Sequence, residues 1–368
     1  NGVPDNCEIA AGTNSDCNGN GIPDDCDLAS GLSTDLNGNG RPDECAGEFV
    51  VGGTGFASIQ AAINAAPNGA TIKVAAGTWA PISISGRKVT IESLSGAAET
   101  FIEGNHTGRC VSMTNIAPRG VMMSGFTIRN GSASTGAGIR LLLSSPDFSD
   151  CVIEGNTATG VGGGVSCSSS SPHFVNCVIR NNTAAQGGGV AVSGATVDNS
   201  AATFSNCSIH DNHASTTGGG FYNTSRLSIS LCAVEYNSAG TAGGGLWSSS
   251  TAASVVGFSR FCINSPDNTF GPISDQGGNA FGADCNGNGI CDADEIASGA
   301  EDKNQNGQLD SCELARGDLN LDGHVDGADL GILLNFWGAV GAPAGDLNGD
   351  GVISAPDLGL LLGHFDPH

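Results

Sequence analysis

One phrase recurs through the middle of this chain: C-x-[IV]-x-x-N-x-A, then a run of glycines and an apolar residue. It starts at Cys151, Cys177, Cys207 and Cys232, and its triple glycines start at Gly162, Gly187, Gly218 and Gly243. Phe126-Thr-Ile128 with Gly136-Ala-Gly-Ile139 forms a looser copy, and Cys262 begins a degraded last one. Steps of 25 to 31 residues are too short for a propeller blade. Threonine, serine and valine are abundant, and helix formers are scarce. A unit of this size cannot bury an apolar face alone, so it must stack on its neighbours. The expected fold is mainly β, a parallel β-helix with one coil per repeat.

Alternation then assigns the faces. Cys151 and Ile153 point inward, while Val152 and Glu154 point out. Stacked coils lie about 4.8 Å apart, so equivalent residues make columns. Asn156, Asn182, Asn212 and Asn237 form one, read as a turn ladder of hydrogen-bonded amides. Ala158, Ala184, Ala214 and Ala239 form a small inward column, and the four cysteines read as inward apolar fillers.

Charge divides the chain. Residues 1–48 and 284–368 hold 26 of its 37 acidic side chains and 3 of its 13 basic ones. A net charge of -24 excludes a nucleic-acid partner. No apolar run approaches the roughly 18 residues a membrane span needs. Fourteen cysteines in a lysine-poor, acidic chain favour an oxidising, extracellular or cell-surface setting.

The acidic residues keep a fixed spacing. Asp16, Asn18, Asn20, Gly21, Asp24 and Asp27 occupy positions 1, 3, 5, 6, 9 and 12 of a loop. Asp35, Asn37, Asn39, Gly40 and Asp43 repeat it, with Ala46 at the twelfth place. It returns as Asp284, Asn286, Asn288, Gly289, Asp292 and Glu295, and as Asp302, Asn304, Asn306, Gly307, Asp310 and Glu313. Calcium explains the spacing, because a hard cation takes six to eight oxygens and a glycine at position 6 permits the sharp turn. Several bound Ca2+ ions are therefore expected. These D-x-N-x-N-G-x-x-D loops resemble thrombospondin type 3 calcium repeats. That resemblance implies disulfides between neighbouring repeats; Cys7–Cys17 and Cys26–Cys45 are the simplest pairs, with connectivity open. Asn1, Gly2, Asp5 and Glu8 fit positions 5, 6, 9 and 12, so the chain starts inside a repeat. Either it is excised from something longer, or another chain supplies the missing ligands.

At the other end, Asp318, Asn320, Asp322, Gly323, Asp326 and Asp329 precede an apolar run, Leu330 to Trp337. Asp346, Asn348, Asp350, Gly351, Ser354 and Asp357 precede another, Leu358 to Phe365. Each reads as a calcium loop entering a short helix, and Leu330, Leu333, Leu334 and Trp337 would share one face. The duplicated G-D-x-N-x-D-G pattern resembles a type I dockerin over residues 317–368. The resemblance implies docking onto a cohesin partner. Its helix-start contact positions are here Gly327, Ala328, Ala355 and Pro356 instead of the usual hydroxyl pair.

Before the repeats, Phe56-Ala-Ser-Ile-Gln-Ala-Ala-Ile63 reads as a short amphipathic helix, Gly69–Val74 as the first strand, and Gly77-Thr-Trp79 follows. This opening is similar to that of the right-handed β-helix, pectate-lyase-like superfamily, whose helix plugs the open end of the solenoid. The triple-glycine repeats also resemble those of bacterial surface proteins with β-helical passengers. Many superfamily members cleave polysaccharides, which implies a search for catalytic groups.

The outward column after each inward Ile or Val is Arg129, Glu154, Arg180, His210 and Glu235. Glu154, Arg180 and His210 are the catalytic candidates, because a lyase needs a base and a cation and a hydrolase two carboxylates. The simpler reading is a ladder of alternating charges. His210 and His213 beside Asp211 read as turn residues. The sequence thus leans away from an enzyme. It describes calcium loops (1–48), a β-helix (49–283), more calcium loops (284–316) and a dockerin-like module (317–368). The expected function is structural or adhesive: a calcium-stabilised rod that attaches to a protein partner or polymerises as a filament subunit through its ends. The alternative is an extracellular polysaccharide lyase or glycoside hydrolase attached by the dockerin-like module.

Overall fold

The computed structural model describes residues 15–33, 35, 42, 48–53, 55–194, 200–282, 284–286, 288, 290–341 and 345–365. The chain divides into two compact units, Asn1–Asn279 and Ala280–His368.

The first unit is a parallel β-solenoid. One coil runs through strands Asp147–Ser149, Val152–Glu154, Thr157–Val161 and Val165–Ser168, each in a different sheet. Every strand pairs in parallel with its equivalents one coil before and after. The four sheets are called first to fourth in that order. Inward residues stack by type. In the first sheet Ile91, Met123, Phe148, Phe174, Phe204 and Ile229 are register partners in turn. The rings of Phe148, Phe174 and Phe204 lie 4.7 and 4.8 Å apart and parallel. In the second sheet Ile102, Ile128, Ile153, Ile179 and Ile209 do the same, all fully buried.

The asparagine column is a continuous ladder and extends to Asn264. The Asn212 Oδ1 accepts from the Asn182 backbone N–H (3.1 Å) and Nδ2 (3.0 Å), and the Asn212 Nδ2 donates to the Ile179 carbonyl at 2.8 Å. The same pattern joins Asn156 to Asn182 and Asn237 to Asn264. Cys151, Cys177, Cys207 and Cys232 are buried fillers, as expected, and each thiol donates to the carbonyl two residues before it. The glycine turns pass against each other's backbones. A β-carbon on Gly163 would lie 2.4 Å from the Gly188 carbonyl oxygen, closer than any side chain can sit.

Helix Ile59–Ala65 closes the start of the solenoid. Ser58 caps it by accepting from the Ala61 N–H, and Ile59, Ala62 and Ile63 are buried in the main core. Gln60 Oε1 accepts from the Ser83 N–H at 2.7 Å, satisfying an edge strand. The first strand is Glu48–Val51 instead of the segment at 69–74; its Phe-Val-Val run pairs with Ala70–Val74.

The second unit contains helices Asp292–Ala297, Asp310–Arg316, Gly327–Asn335 and Ala355–Gly363. Its apolar centre is small: Val325, Leu333, Ile353 and Leu361, flanked by Leu319, Leu330, Leu347 and Leu358. The expected four-residue face splits. Leu330 and Leu333 pack inward, whereas Leu334 and Trp337 are about half exposed. The helix ends at Asn335, so Trp337 leaves the helical stripe, and two short helices cover only one narrow stripe of each other.

Candidate functional site

The expected catalytic column proves to be paired. Along the second sheet Glu103, Arg129, Glu154, Arg180, His210 and Glu235 are successive register partners. Arg129 contacts Glu103 at 2.7 Å, Arg180 contacts Glu154 at 2.7 Å, Arg260 contacts Glu235 at 2.5 Å, and His210 meets Asp211 at 2.6 Å. Burial alone would raise the Glu103 carboxyl, but hydrogen bonds from Arg129 and Asn130 and the Arg129 charge together hold it below its ordinary range. Glu154 and Arg180 thus spend their charge on each other, and His210 is hydrogen-bonded to Asp211. His213 bonds Ser238. Burial pushes the Cys110 thiol up to about 12 and also raises Cys167.

The first sheet presents a different arrangement. A groove of about 370 Å³ crosses the coils, with Met123 and Phe148 in its floor and Glu92, Arg119, Asp147 and His173 among its lining residues. Asp147 and His173 are register partners on adjacent coils, and His173 pairs in turn with Thr203. Strand alternation turns all three outward, because the next residue in each strand is the buried Phe148, Phe174 or Phe204. The His173 Nδ1 and Thr203 Oγ1 lie 2.6 Å apart, which fixes the ring and leaves Nε2 available. The Asp147 Oδ1 is buried with no hydrogen-bond partner. Among the described residues Glu92, Arg119 and Asp147 have no ion-pair partner, in contrast to the second-sheet ladder. Here are a cation, two carboxylates and an oriented imidazole over an apolar floor. The sequence carried a signal for them: Ser-Pro-Asp147-Phe and Ser-Pro-His173-Phe repeat one coil apart, upstream of the cysteine phrase that set the register.

The calcium-type loops share one internal geometry. The first aspartate accepts backbone N–H groups from positions 5 and 6 in four of them: Asp16 from Asn20 and Gly21, Asp302 from Asn306 and Gly307, Asp318 from Asp322 and Gly323, and Asp346 from Asp350 and Gly351. In loops 16–27, 284–295 and 302–313, the Asn side chains at positions 3 and 5 donate to the position-12 carboxylates of Asp27, Glu295 and Glu313. Positions 1, 3, 5 and 12 therefore converge, and their oxygen-bearing set suits a hard cation.

Position 9 does not join them. Asp24, Asp292 and Asp310 are buried and accept the N–H of position 2, from Cys17, Cys285 and Lys303. Burial is the main cause that raises the Asp292 carboxyl, one of whose oxygens has no hydrogen-bond partner. In the last two loops position 9 is a helix cap: Asp326 and Ser354 open capping boxes with Asp329 and Asp357. Asn320 and Asn348 donate to Asp322 and Asp350. Asp35 is described, but Asn1, Asp5, Glu8, Asn37, Asn39 and Asp43 lie outside the described residues, as do Cys7 and Cys45. The incomplete first repeat, on which the filament expectation partly rested, lies outside the described residues too. Cys285 and Cys312 form a disulfide between neighbouring repeats; Cys17, Cys262 and Cys291 are also disulfide-bonded. The helix-start residues Gly327, Ala328, Ala355 and Pro356 are exposed. No helix among the described residues is long and apolar enough to cross a membrane.

Comparison with known proteins supports both halves of this architecture. Residues 80–234 match the right-handed β-helix region family and residues 316–365 the dockerin type I domain family. No curated protein matches the chain. Among solved structures it is similar to a pectin methylesterase from Aspergillus niger, at 15% identity and TM-score 0.40, covering 65% of this chain and 86% of that one. A pectin methylesterase from Erwinia chrysanthemi gives 12%, 0.40, 61% and 80%. A pectate lyase gives 14%, 0.43, 61% and 62%. Each of these three is an enzyme, which corrects the leaning away from catalysis; the likeness at such identity concerns the fold. Type I dockerin domains bind calcium and cohesin proteins, a setting outside or at the surface of the cell. The chain thus joins a right-handed parallel β-helix to a C-terminal type I dockerin domain.

Proposed function

We propose that this is an extracellular polysaccharide-cleaving enzyme, that its groove on the first sheet is the site, and that the dockerin domain attaches it to a cohesin-bearing protein. The observation that carries the reading is the unpaired state of the groove: Asp147 Oδ1 is buried without a partner beside an oriented His173, with Glu92 and Arg119 free of ion pairs. A buried acceptor without a donor costs about 1–3 kcal/mol, which a ligand hydroxyl would recover. A sugar chain supplies such hydroxyls, and its apolar ring face suits Met122 and Val175 at the groove. His173 can transfer a proton, Arg119 can hold an anionic substituent, and Glu92 and Asp147 can accept from hydroxyls.

In this reading the loops at 16–27, 284–295, 302–313, 318–329 and 346–357 hold Ca2+. Residues 284–316 link the β-helix to a dockerin that begins at 317. Acidic and neutral polysaccharides incubated with the full chain in calcium should yield new reducing ends, or unsaturated ends if cleavage is eliminative. Asp147→Asn and His173→Gln should each lower the rate at least 10²-fold, with unchanged melting. Arg180→Ala should leave the rate within a few-fold. A full chain inert on every polymer, or losses confined to Arg180→Ala, would sink the proposal.

A further inference from the structure

The fourth sheet carries an outward column that belongs to neither the groove nor the charge ladder. Ser112, Arg140, Ser166, Ala191, Tyr222 and Trp247 are successive register partners on it. Alternation turns each of them away from the core, since the residue before each, from Val111 to Leu246, is fully buried. Among the described residues, no strand of this sheet carries a carboxylate.

One end of the column holds a cation without a counter-charge. Among the described residues Arg140 has no ion pair and no hydrogen bond. Arg109 comes to the same turn. Its Nε and Nη2 donate to the carbonyls of Gly136 at 2.8 Å and Thr135 at 2.7 Å. Gly136 lies so close to Arg140 that a β-carbon on it would sit 3.0 Å from the Arg140 Cα. Burial is the main cause that depresses the Arg109 pKa, and the Arg140 charge depresses it further. A bound anion would relieve that repulsion.

The other end is aromatic. The Tyr222 and Trp247 rings lie 4.8 Å apart and within 10° of parallel, and Phe270, half exposed, follows Trp247 in register. Arg140 and Tyr222 are three coils apart, roughly 14 Å at the spacing of paired strands. Only the small Ser166 and Ala191 stand between them in the column. A small anion would meet the cation alone, whereas an extended polymer reaches both ends. A sugar chain combines acidic substituents with apolar ring faces that pack on aromatic side chains. We propose that the outward column from Arg140 to Trp247 is a second polysaccharide-binding face, and that it takes chains bearing carboxylate or sulfate groups. It holds the polymer without cleaving it, because no carboxylate or imidazole stands in the column to move a proton.

The inference does not rest on cleavage at the groove. Its test is retention of the full chain in native gels containing polygalacturonate, dextran sulfate or plain dextran, with calcium and about 0.1 M salt. At least one charged polymer should retain the chain more than dextran does, and the stronger of the two tells carboxylate from sulfate. Arg140→Gln should raise the apparent Kd for it at least about tenfold. Trp247→Ala should raise it about threefold or more, which keeps the test decisive if Arg140→Gln fails to fold. Retention that is lost in Arg119→Gln but unchanged in Arg140→Gln and Trp247→Ala would assign it to the groove and overturn the inference. Retention no greater on either charged polymer than on dextran would overturn it as well. A chain that cleaves no polymer, yet is retained through Arg140 and Trp247, would keep this inference and sink the cleavage reading alone.

Discussion

Glu103 shows how a charge on the solenoid is used when it is not reserved for a ligand. It takes Arg129 at 2.7 Å, and Arg129 also lies over the Phe101 ring at 4.0 Å. The folded-state pKa of Glu103 is depressed below its ordinary 4.5. Its stabilisation is therefore present above the unfolded value and lost as pH falls through the folded one. Melting temperature followed from about pH 6 to about pH 3 should fall less steeply for Glu103→Gln than for the unmodified chain. An identical acid limb would show that the pair contributes nothing. Asp147 sits on the same solenoid with the opposite arrangement, one oxygen buried and unpartnered. That difference, not the presence of charge, separates a ladder from a site.

At the scale of elements, the asparagine ladder is where sequence and structure agree most closely. Each Asn closes a turn by using both ends of its amide, so the ladder depends on every member. Asn212→Ala would remove the acceptor of the buried Asn182 backbone N–H, one of the two acceptors of the Asn182 Nδ2, and the side-chain donor to the Ile179 carbonyl. Urea denaturation should show a loss of about 2–5 kcal/mol; a loss under about 1 kcal/mol would mean that water replaces the amide. The coils, the inward columns and this ladder were legible because a repeat writes the same physical demand four times. The groove was less so. Its chemistry lies on residues that differ from coil to coil, Met122, Asp147, His173 and Thr203, and beyond the paired Ser-Pro-Asp147-Phe and Ser-Pro-His173-Phe segments only strand pairing aligns them. The Arg180–Glu154 pair is another case: alternation placed both side chains outward, and only strand pairing shows them 2.7 Å apart. Position 9 of the loops is a related case. The motif supplies an oxygen there, and only the folded loop shows it accepting a backbone N–H.

For the whole molecule, two kinds of stability meet in one chain. The β-helix has a continuous core and nearly balanced charge, whereas among the described residues the second unit's apolar cluster holds only four buried side chains, and most of its charge is of one sign. A centre that small supplies little hydrophobic stabilisation, so ions held by its acidic loops must offset self-repulsion. Calorimetry of the full chain should therefore show two transitions in calcium. Chelator should lower or erase the one from residues 280–368 and leave the β-helix transition in place. Added monovalent salt should restore part of the lost transition, since screening shortens the range of the repulsion to about 3 Å at molar ionic strength. Chelation that shifted both transitions equally would contradict this division, and would mean that calcium also stabilises the solenoid. Salt that restored nothing would place the effect of calcium in specific ligation instead of charge neutralisation.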